Sequence, residues 1–434
     1  MNSDRFTNLK RYQRILASSS KEVRDRMLIT VANELEANLS KIEKANNLDI
    51  EEAKKANVAQ PLIKRLLFDE NKLKGVCEGI RQVATLKDPI GIVRERRLLD
   101  EGLLLERVGV PIGVIGMIFE SRPDALVQII SLALKSGNGI ILKGGKEALN
   151  TNIALVEIIK DSLEDFDAKG NWIVHLTSRE EVGEILELDE IVDLLIPRGS
   201  NEFVRYIMDN TKIPVLGHAD GICSLYVDKE ASIEMAVKVA VDSKCQYPAV
   251  CNAIETLLVH KDIAPTFLPK FKEGVVPYNV VIYGDEETLK IIDGKKATES
   301  NWATEYLDYE IAIRVVDSVD QAIEHIATYN SGHTDAIVTT NEEVAKRFLT
   351  EVDSADVFWN ASTRFADGFR FGLGAEVGIS TQKIHARGPV GLNGLITDKW
   401  LIKGSGQIVD SYEKGVSTYK HKDLDLEGDS ILEG

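Results

Sequence analysis

The chain has 434 residues, 44% hydrophobic and 28% charged, with 52 lysines and arginines against 69 aspartates and glutamates for a net charge of -17. At ~150 residues per domain this length allows three domains or two large ones, and it can bury enough surface to fold without disulfides or a structural metal. The acidic balance argues against nucleic acid as the main partner, because phosphate binding calls for a basic face. A local basic pocket for a phosphorylated small molecule stays open.

The longest apolar run, Val108 to Phe119, contains three glycines and a proline and falls short of the ~20 residues that cross a bilayer, so no membrane association is expected. The opening Met1-Asn2-Ser3-Asp4-Arg5-Phe6 lacks the apolar stretch of a secretion signal. Cys77, Cys223, Cys245 and Cys251 are too scattered for a disulfide framework. These features predict free thiols in a reducing, cytoplasmic setting.

Residues 1 to 85 read as helices, with apolar residues every three or four positions in segments such as 20–35. Arg94 to Arg107 is charged and extended around the turn signal Asp100-Glu101-Gly102, which predicts a projecting hairpin at about 94–109. Either an oligomer contact or a plain solvated hairpin fits it. An α/β alternation follows: strands at 113–119, 139–143, 172–175 and 194–196, with helices at 125–135 and 150–163. A second set runs through strands at 225–228, 256–260, 311–315 and 335–340, helices at 231–243, 318–329 and 342–351, and an apolar segment at 275–283. The spacing fits two doubly wound, mostly parallel α/β domains. The boundaries expected are 1–240, 241–375 and a return segment with tail at 376–434. The tail after Lys420 is acidic and is expected to be loose.

Neither Gly-x-x-x-x-Gly-Lys-Ser/Thr nor Gly-x-Gly-x-x-Gly occurs, which removes the commonest nucleotide signatures. No Cys-x-x-Cys or His-x-x-x-His spacing exists among the 4 cysteines and 7 histidines, so no metal is expected. What remains is a cysteine in an unusual setting. Cys251 lies between Pro248 and an apolar strand, where a thiol can be held at the mouth of a cleft. A lone cysteine is more often a buried hydrophobe, so context must decide.

Context comes from resemblance. Val250-Cys-Asn-Ala-Ile-Glu-Thr-Leu-Leu-Val-His260 is similar to the nucleophile segment of the γ-glutamyl phosphate reductase (glutamate-5-semialdehyde dehydrogenase) family, part of the aldehyde dehydrogenase superfamily. So are Val110 to Pro123, Ile141-Leu-Lys-Gly-Gly-Lys-Glu147, Leu195-Ile-Pro-Arg-Gly-Ser200, Asn360-Ala-Ser-Thr-Arg-Phe-Ala-Asp367 and Phe371 to Pro389. The likeness runs over nearly the whole chain. It implies an aldehyde-dehydrogenase-like fold with an oligomerisation hairpin and a homo-oligomer. It implies NADPH-dependent reduction of L-glutamate 5-phosphate to the semialdehyde, in proline biosynthesis, through a thioester on Cys251. The labile acyl phosphate further implies a transient contact with glutamate 5-kinase.

The resemblance also assigns roles. Lys143, Gly145 and Lys146 would face the adenine ribose, with Lys146 paired to a 2′-phosphate. Gly199 and Ser200 would seat the pyrophosphate at a helix N-terminus, and Glu305 would hold the nicotinamide ribose. Arg122, Arg364, Asp367 and Arg387 would bind substrate, with structural ion pairing as the alternative for each. His385 reads as a proton donor or as a satisfied histidine, and Cys245 as no nucleophile. Oxidising aldehyde dehydrogenases carry a water-activating Glu ahead of the cysteine, whereas the corresponding stretch here, Gly217-His-Ala-Asp-Gly221, has none. A reductase that must not hydrolyse its thioester would lack that base. The rival readings are a CoA-acylating aldehyde dehydrogenase and a non-catalytic scaffold of the same fold.

Overall fold

A computed structural model of the chain describes residues 3–58, 60–119, 122–178, 180–217, 220–427 and 430–432. The chain opens with helices α1 (Ser3–Ser18), α2 (Lys21–Ala37), α3 (Leu39–Lys55), α4 (Gln60–Leu66) and α5 (Glu70–Thr85). Ser20 accepts the Val23 N–H and Asp69 the Lys72 N–H, so α2 and α5 start where a side chain satisfies a donor without an intrahelical partner.

A hairpin of β1 (Val93–Asp100) and β2 (Leu103–Pro111) follows, turning at Gly102 with φ +69°. Next come β3 (Val114–Phe119), α6 (Pro123–Lys135), β4 (Gly139–Lys143), α7 (Leu149–Ser162), β5 (Ile173–Leu176), α8 (Glu180–Leu186), β6 (Leu194–Arg198) and α9 (Asn201–Asp209). These strands form a parallel sheet in the order β5-β4-β3-β6. The order reverses at β3, the kind of switch point where open α/β sheets bind ligands. Helix α6 is buried at every residue but Gln128 because the sheet covers one face while α2 and α5 cover the other. It stops at Gly137, whose φ of +71° suits glycine and whose added Cβ would lie 2.9 Å from Ile90 Cδ1.

The second half comprises β7 (Cys223–Val227), α10 (Ile233–Cys245), β8 (Ile254–His260), α11 (Ala264–Val275), β9 (Val281–Gly284), α12 (Glu286–Leu289), β10 (Lys295–Lys296) and α13 (Glu299–Trp302). It continues through β11 (Glu310–Val316), α14 (Val319–Tyr329), β12 (Thr334–Val338), α15 (Glu342–Glu351) and β13 (Asp356–Trp359). Its strands make a wholly parallel sheet ordered β10-β9-β11-β8-β7-β12-β13. Strand β8 is buried along its entire length, as a strand covered by helices on both faces must be. The change of sheet falls between β6 and β7, ahead of residue 240. A cut at 240 would pass through α10 and split a βαβ crossover, whose helix packs on its own strands. The apolar segment at 275–283 closes α11, makes a 3₁₀ turn at Val276–Tyr278 and then extends into β9; α11 itself goes unmarked in the sequence because Pro265 in its first turn and Pro269 inside it mask its period.

The chain ends through β14 (Gly378–Ser380), β15 (Gly388–Val390), β16 (Ile396–Lys403), α16 (Val409–Glu413) and β17 (Lys422–Asp423). Val377, Val390, Leu392 and Leu395 join the core of the first sheet. Strand β16 pairs along β2 and β17 pairs with β1, so the hairpin is the middle of a four-stranded antiparallel sheet ordered β16-β2-β1-β17. The tail expected to be loose is held there. Glu106, fully buried, accepts the Ser430 hydroxyl at 2.9 Å and the Ile431 N–H at 2.8 Å, and Arg96 pairs with it at 3.0 Å. A buried carboxylate demands such partners, and composition alone does not show which segment supplies them.

Candidate active site

Between α10 and β8 the chain makes an irregular turn that presents Cys251. Gly221, just before β7, packs directly on it: an added Cβ would lie 2.5 Å from the Cys251 Cβ and 2.5 Å from its carbonyl oxygen. Only glycine permits that approach. The Cys223 thiol donates to the Cys251 carbonyl at 3.1 Å, which gives this buried cysteine a packing and bonding role. Asn252 Nδ2 donates to Ala366 O at 2.7 Å and the Thr363 N–H donates to Ser243 Oγ at 3.2 Å, so the 360–367 turn is tied to both flanks of the cysteine.

Burial pushes the Cys251 thiol up to about 12, with the Glu305 and Glu376 carboxylates adding to the effect and Arg198 opposing it. His333 places Nε2 at 3.2 Å from the Cys251 Sγ. Arg198, at the end of β6, is drawn below the ordinary arginine value by burial, against the pull of Glu376. Burial raises Glu376, which accepts the Gly368 N–H at 2.8 Å. Arg364 is also lowered by burial and donates from Nε to Gln246 Oε1 at 3.0 Å. Thiol, cations and carboxylates from both halves thus converge. A cleft of about 700 Å³ lies at Asp220 and Ile222, the residues flanking the Gly221 that packs on Cys251, with Ala303 and Ser331 also in its lining.

The remaining sequence-derived residues fall in distinct places. Asn201, opening α9, donates from Nδ2 to Glu305 Oε2 at 3.0 Å and to Asp220 Oδ1 at 2.6 Å, and Arg205 pairs with Asp220 at 2.6 Å. Asp220 is therefore engaged rather than poised for water. His218 and Ala219 of the Glu-free stretch, and Glu120 and Ser121 of the motif at 110–123, lie outside the described residues. The turn carrying Glu305 is fixed from beneath. Leu307, at φ +54°, donates its N–H to Glu255 Oε1 at 3.2 Å, and buried Glu255 pairs with Lys244 at 2.5 Å. Burial raises Glu255 to about 7, against the pull of Lys244.

Lys143 ends β4 with its ammonium turned to Gly144 O at 2.6 Å, lowered by burial with Glu181 opposing. Gly145 precedes the short 3₁₀ turn that carries Lys146, which is exposed. Ser200 is the N-cap of α9, yet its hydroxyl makes no capping bond, and Gly199 beside it is exposed. Arg122 caps α6 half-exposed and pairs with Asp124 at 3.1 Å. Asp367 accepts the Phe369 and Arg370 N–H groups at 3.1 Å each, a loop-holding role. Arg387 is engaged by Asp353 at 3.0 Å and, with Lys87, Arg94 and His385, lines a separate cavity of about 450 Å³. His385 is satisfied by Gly394 O at 2.9 Å.

Sequence reading did not single out Arg198, Glu376 or His333. Arg198 lay inside a quoted motif, and His333 stands in Gly332-His-Thr-Asp335, a polar cluster immediately ahead of an apolar strand. That position, at the amino-side rim next to Cys251 in the fold, is visible only once β12 is placed two strands from β8.

A reactive-type thiol held between two parallel α/β sheets, with an antiparallel hairpin sheet attached, is the architecture of aldehyde dehydrogenases. The chain belongs to the aldehyde dehydrogenase family, whose sequence pattern matches residues 9–289. Within it, the chain is a member of the gamma-glutamyl phosphate reductase family. The gamma-glutamyl phosphate reductase of Acetivibrio thermocellus is 54% identical over 409 residues, covering 94% of this chain and 95% of the relative. The crystal structure of the Thermotoga maritima gamma-glutamyl phosphate reductase superposes with a TM-score of 0.91 at 40% identity, over 93% of this chain and 99% of that one. The Saccharomyces cerevisiae structure of the same name gives 0.52 at 37% identity, over 93% and 98%. The chain is an oxidoreductase of this family, which works on small molecules with a nicotinamide cofactor. No helix among the described residues is long and apolar enough to cross a membrane.

Proposed function

We propose that the chain reduces L-glutamate 5-phosphate to L-glutamate 5-semialdehyde with NADPH, releasing phosphate, as a step of proline biosynthesis in the cytoplasm. The observation that carries this reading is one half-buried thiol set among the charges of Arg198 and Arg364, with Asp220 already engaged by Arg205. A dianionic leaving group calls for guanidinium partners, and a long-lived thioester is favoured when Asp220 is held by Asn201 and Arg205 instead of standing free as a carboxylate base.

Cys251 attacks the acyl carbon and holds the acyl group as a thioester. The Cys251 backbone N–H, in the irregular turn that presents the thiol, binds the developing oxyanion in this reading. Arg198 and Arg364 take the phosphoryl oxygens, and Arg122, at the rim, takes a phosphoryl oxygen or the α-carboxylate. Asp367 holds the loop that positions Arg364. Arg387, already engaged by Asp353, is left out of this assignment.

The cofactor fits the residues present. The unused Ser200 hydroxyl and the open first turn of α9 suit a pyrophosphate, with Gly199 allowing close approach. Lys143, Gly145 and Lys146 suit the adenine ribose, and a lysine at 146 favours a 2′-phosphate, hence NADPH over NADH. Glu305, oriented by Asn201, suits the nicotinamide ribose. When bound, the nicotinamide supplies the hydride that reduces the acyl group. Exposed Trp400 and Ile402 on β16 support a homo-oligomer through the hairpin sheet, and the lability of the substrate supports a transient contact with glutamate 5-kinase.

The test is the reverse reaction, glutamate semialdehyde with NADP⁺, with and without inorganic phosphate. Phosphate-dependent NADPH formation, lost by more than about 1,000-fold in Cys251→Ala, is the expected result. A requirement for CoA in place of phosphate would move the chain to the acylating reading, and full activity without Cys251 would overturn the thioester.

A further inference from the structure

A thiol held so far above neutral pH is a poor nucleophile until something removes its proton. Among the described residues, the side chain hydrogen-bonded to the Cys251 Sγ is His333, fully buried, with Nε2 at 3.2 Å. Its other nitrogen, Nδ1, lies 2.7 Å from Thr334 Oγ1, and the Thr334 hydroxyl donates to Asp356 Oδ2 at 3.4 Å. A hydroxyl has one proton to give. With that proton directed to Asp356, Thr334 accepts from Nδ1–H, so Nε2 is the unprotonated nitrogen and accepts from the Cys251 thiol.

The fold fixes this line. His333 directly precedes β12, and Thr334 is in register with Asp356 at the start of β13, so the relay runs between neighbouring strand ends. Gly332, at φ +73°, turns the chain into that position, and the Asp356 N–H donates to His333 O at 3.0 Å. The carboxylates beside the thiol are occupied elsewhere: Glu305 with Asn201, Glu376 with Gly368.

We infer that His333 is a catalytic residue of the acylation step, taking the Cys251 proton as sulfur attacks and passing it to the departing phosphate. The inference rests on the acyl phosphate reading above. The C–S bond forms and the bond from the acyl carbon to the phosphoryl oxygen breaks. The thiol proton moves to Nε2 and then to that oxygen, so the group leaves as hydrogen phosphate instead of the far more basic trianion. After the cofactor's hydride has reduced the acyl group, the sulfur departs as thiolate. One proton from water, delivered through His333, restores the thiol, which accounts for the proton consumed overall.

The groups that face the pair, and would shape its titration, are Arg198, Arg364, Glu305, Glu376 and Cys223 around the thiol, and Asp356 behind the ring with Arg387 beside it.

The experiment compares wild type with His333→Gln and Thr334→Val, using phosphate-dependent reverse turnover and the rate of iodoacetamide labelling at Cys251 against pH, read by mass spectrometry of that peptide. Expected for His333→Gln is a kcat lower by about 100-fold or more with KM within about threefold. Its labelling should lose the neutral-pH limb shown by wild type and rise only at alkaline pH. Thr334→Val should fall between the two. A His333→Gln enzyme that keeps kcat within threefold, or labels with the wild-type profile, overturns the inference. So does a wild-type profile with a single alkaline rise, a result that needs no variant to fold. If wild type makes no NADPH in the presence of phosphate, the acyl phosphate reading fails instead, and the labelling profiles still decide whether His333 activates the thiol.

Discussion

The two parallel sheets contribute to one cleft in opposite manners. At the edge of the first, Lys146, Gly199 and Ser200 are exposed, and the Ser200 hydroxyl is unspent. At the edge of the second, the groups that hold the Cys251 turn in place are committed: Cys223 to the Cys251 carbonyl, the Asn252 side-chain amide N–H to Ala366, Glu255 to Lys244 and Leu307. One edge is left open for a ligand that comes and goes. The other is locked so that a single sulfur stays in one place, since displacement of a reacting atom by an ångström costs orders of magnitude in rate. Substitutions at the second edge should therefore strike turnover, and those at the first should strike preference.

Arg198 ends β6 of the first sheet yet faces the charges of Cys251 and Glu376, so it belongs with the locked side, and Arg198→Met should show the largest of the remaining effects. Loss of charged hydrogen bonds to the phosphoryl group is worth about 1.5–3 kcal/mol, so kcat/KM for phosphate in the reverse assay should fall by about 10- to 150-fold. The KM for NADP⁺ should stay nearly unchanged. A equal loss for both ligands would mean that the two edges are not separable. Gly221→Ala should come next, because its Cβ would meet the Cys251 Cβ at 2.5 Å. Overpacking of this kind costs about 1–3 kcal/mol, readable as a lower midpoint in urea. Labelling at Cys251 should change as well, since the sulfur must shift. Lys146→Glu should be the mildest. On the proposed assignment of Lys146 to a 2′-phosphate, its replacement should raise KM for NADP⁺ by about tenfold and narrow the gap to NAD⁺, with kcat held. A collapse of kcat in this variant would place Lys146 at the locked edge instead.

Much of the fold could be read from periodicity, because strands such as 139–143 and helices such as 342–351 carry clean apolar patterns between turn residues. Helix α11 could not, since two prolines break its signal. Cys251 was legible through its neighbours in sequence. His333 was not, for its significance lies in a contact 82 residues distant along the chain. The same holds for Arg198, an arginine that reads as the end of a strand until Glu376 and Cys251 are seen beside it. Local pattern reports the strand; only the stacking of strands reports which rim residues meet.

The hairpin at 93–111 is completed on one edge by β16 and on the other by β17, and its buried Glu106 is capped by a residue 324 positions later. During synthesis, therefore, both edges of this ribbon wait unpaired while the intervening sheets emerge and fold. Bare strand edges with apolar faces are sites of misassociation. The nascent chain should thus be most dependent on chaperones, and most prone to aggregate on slow translation, between the folding of the second sheet and the arrival of residue 396.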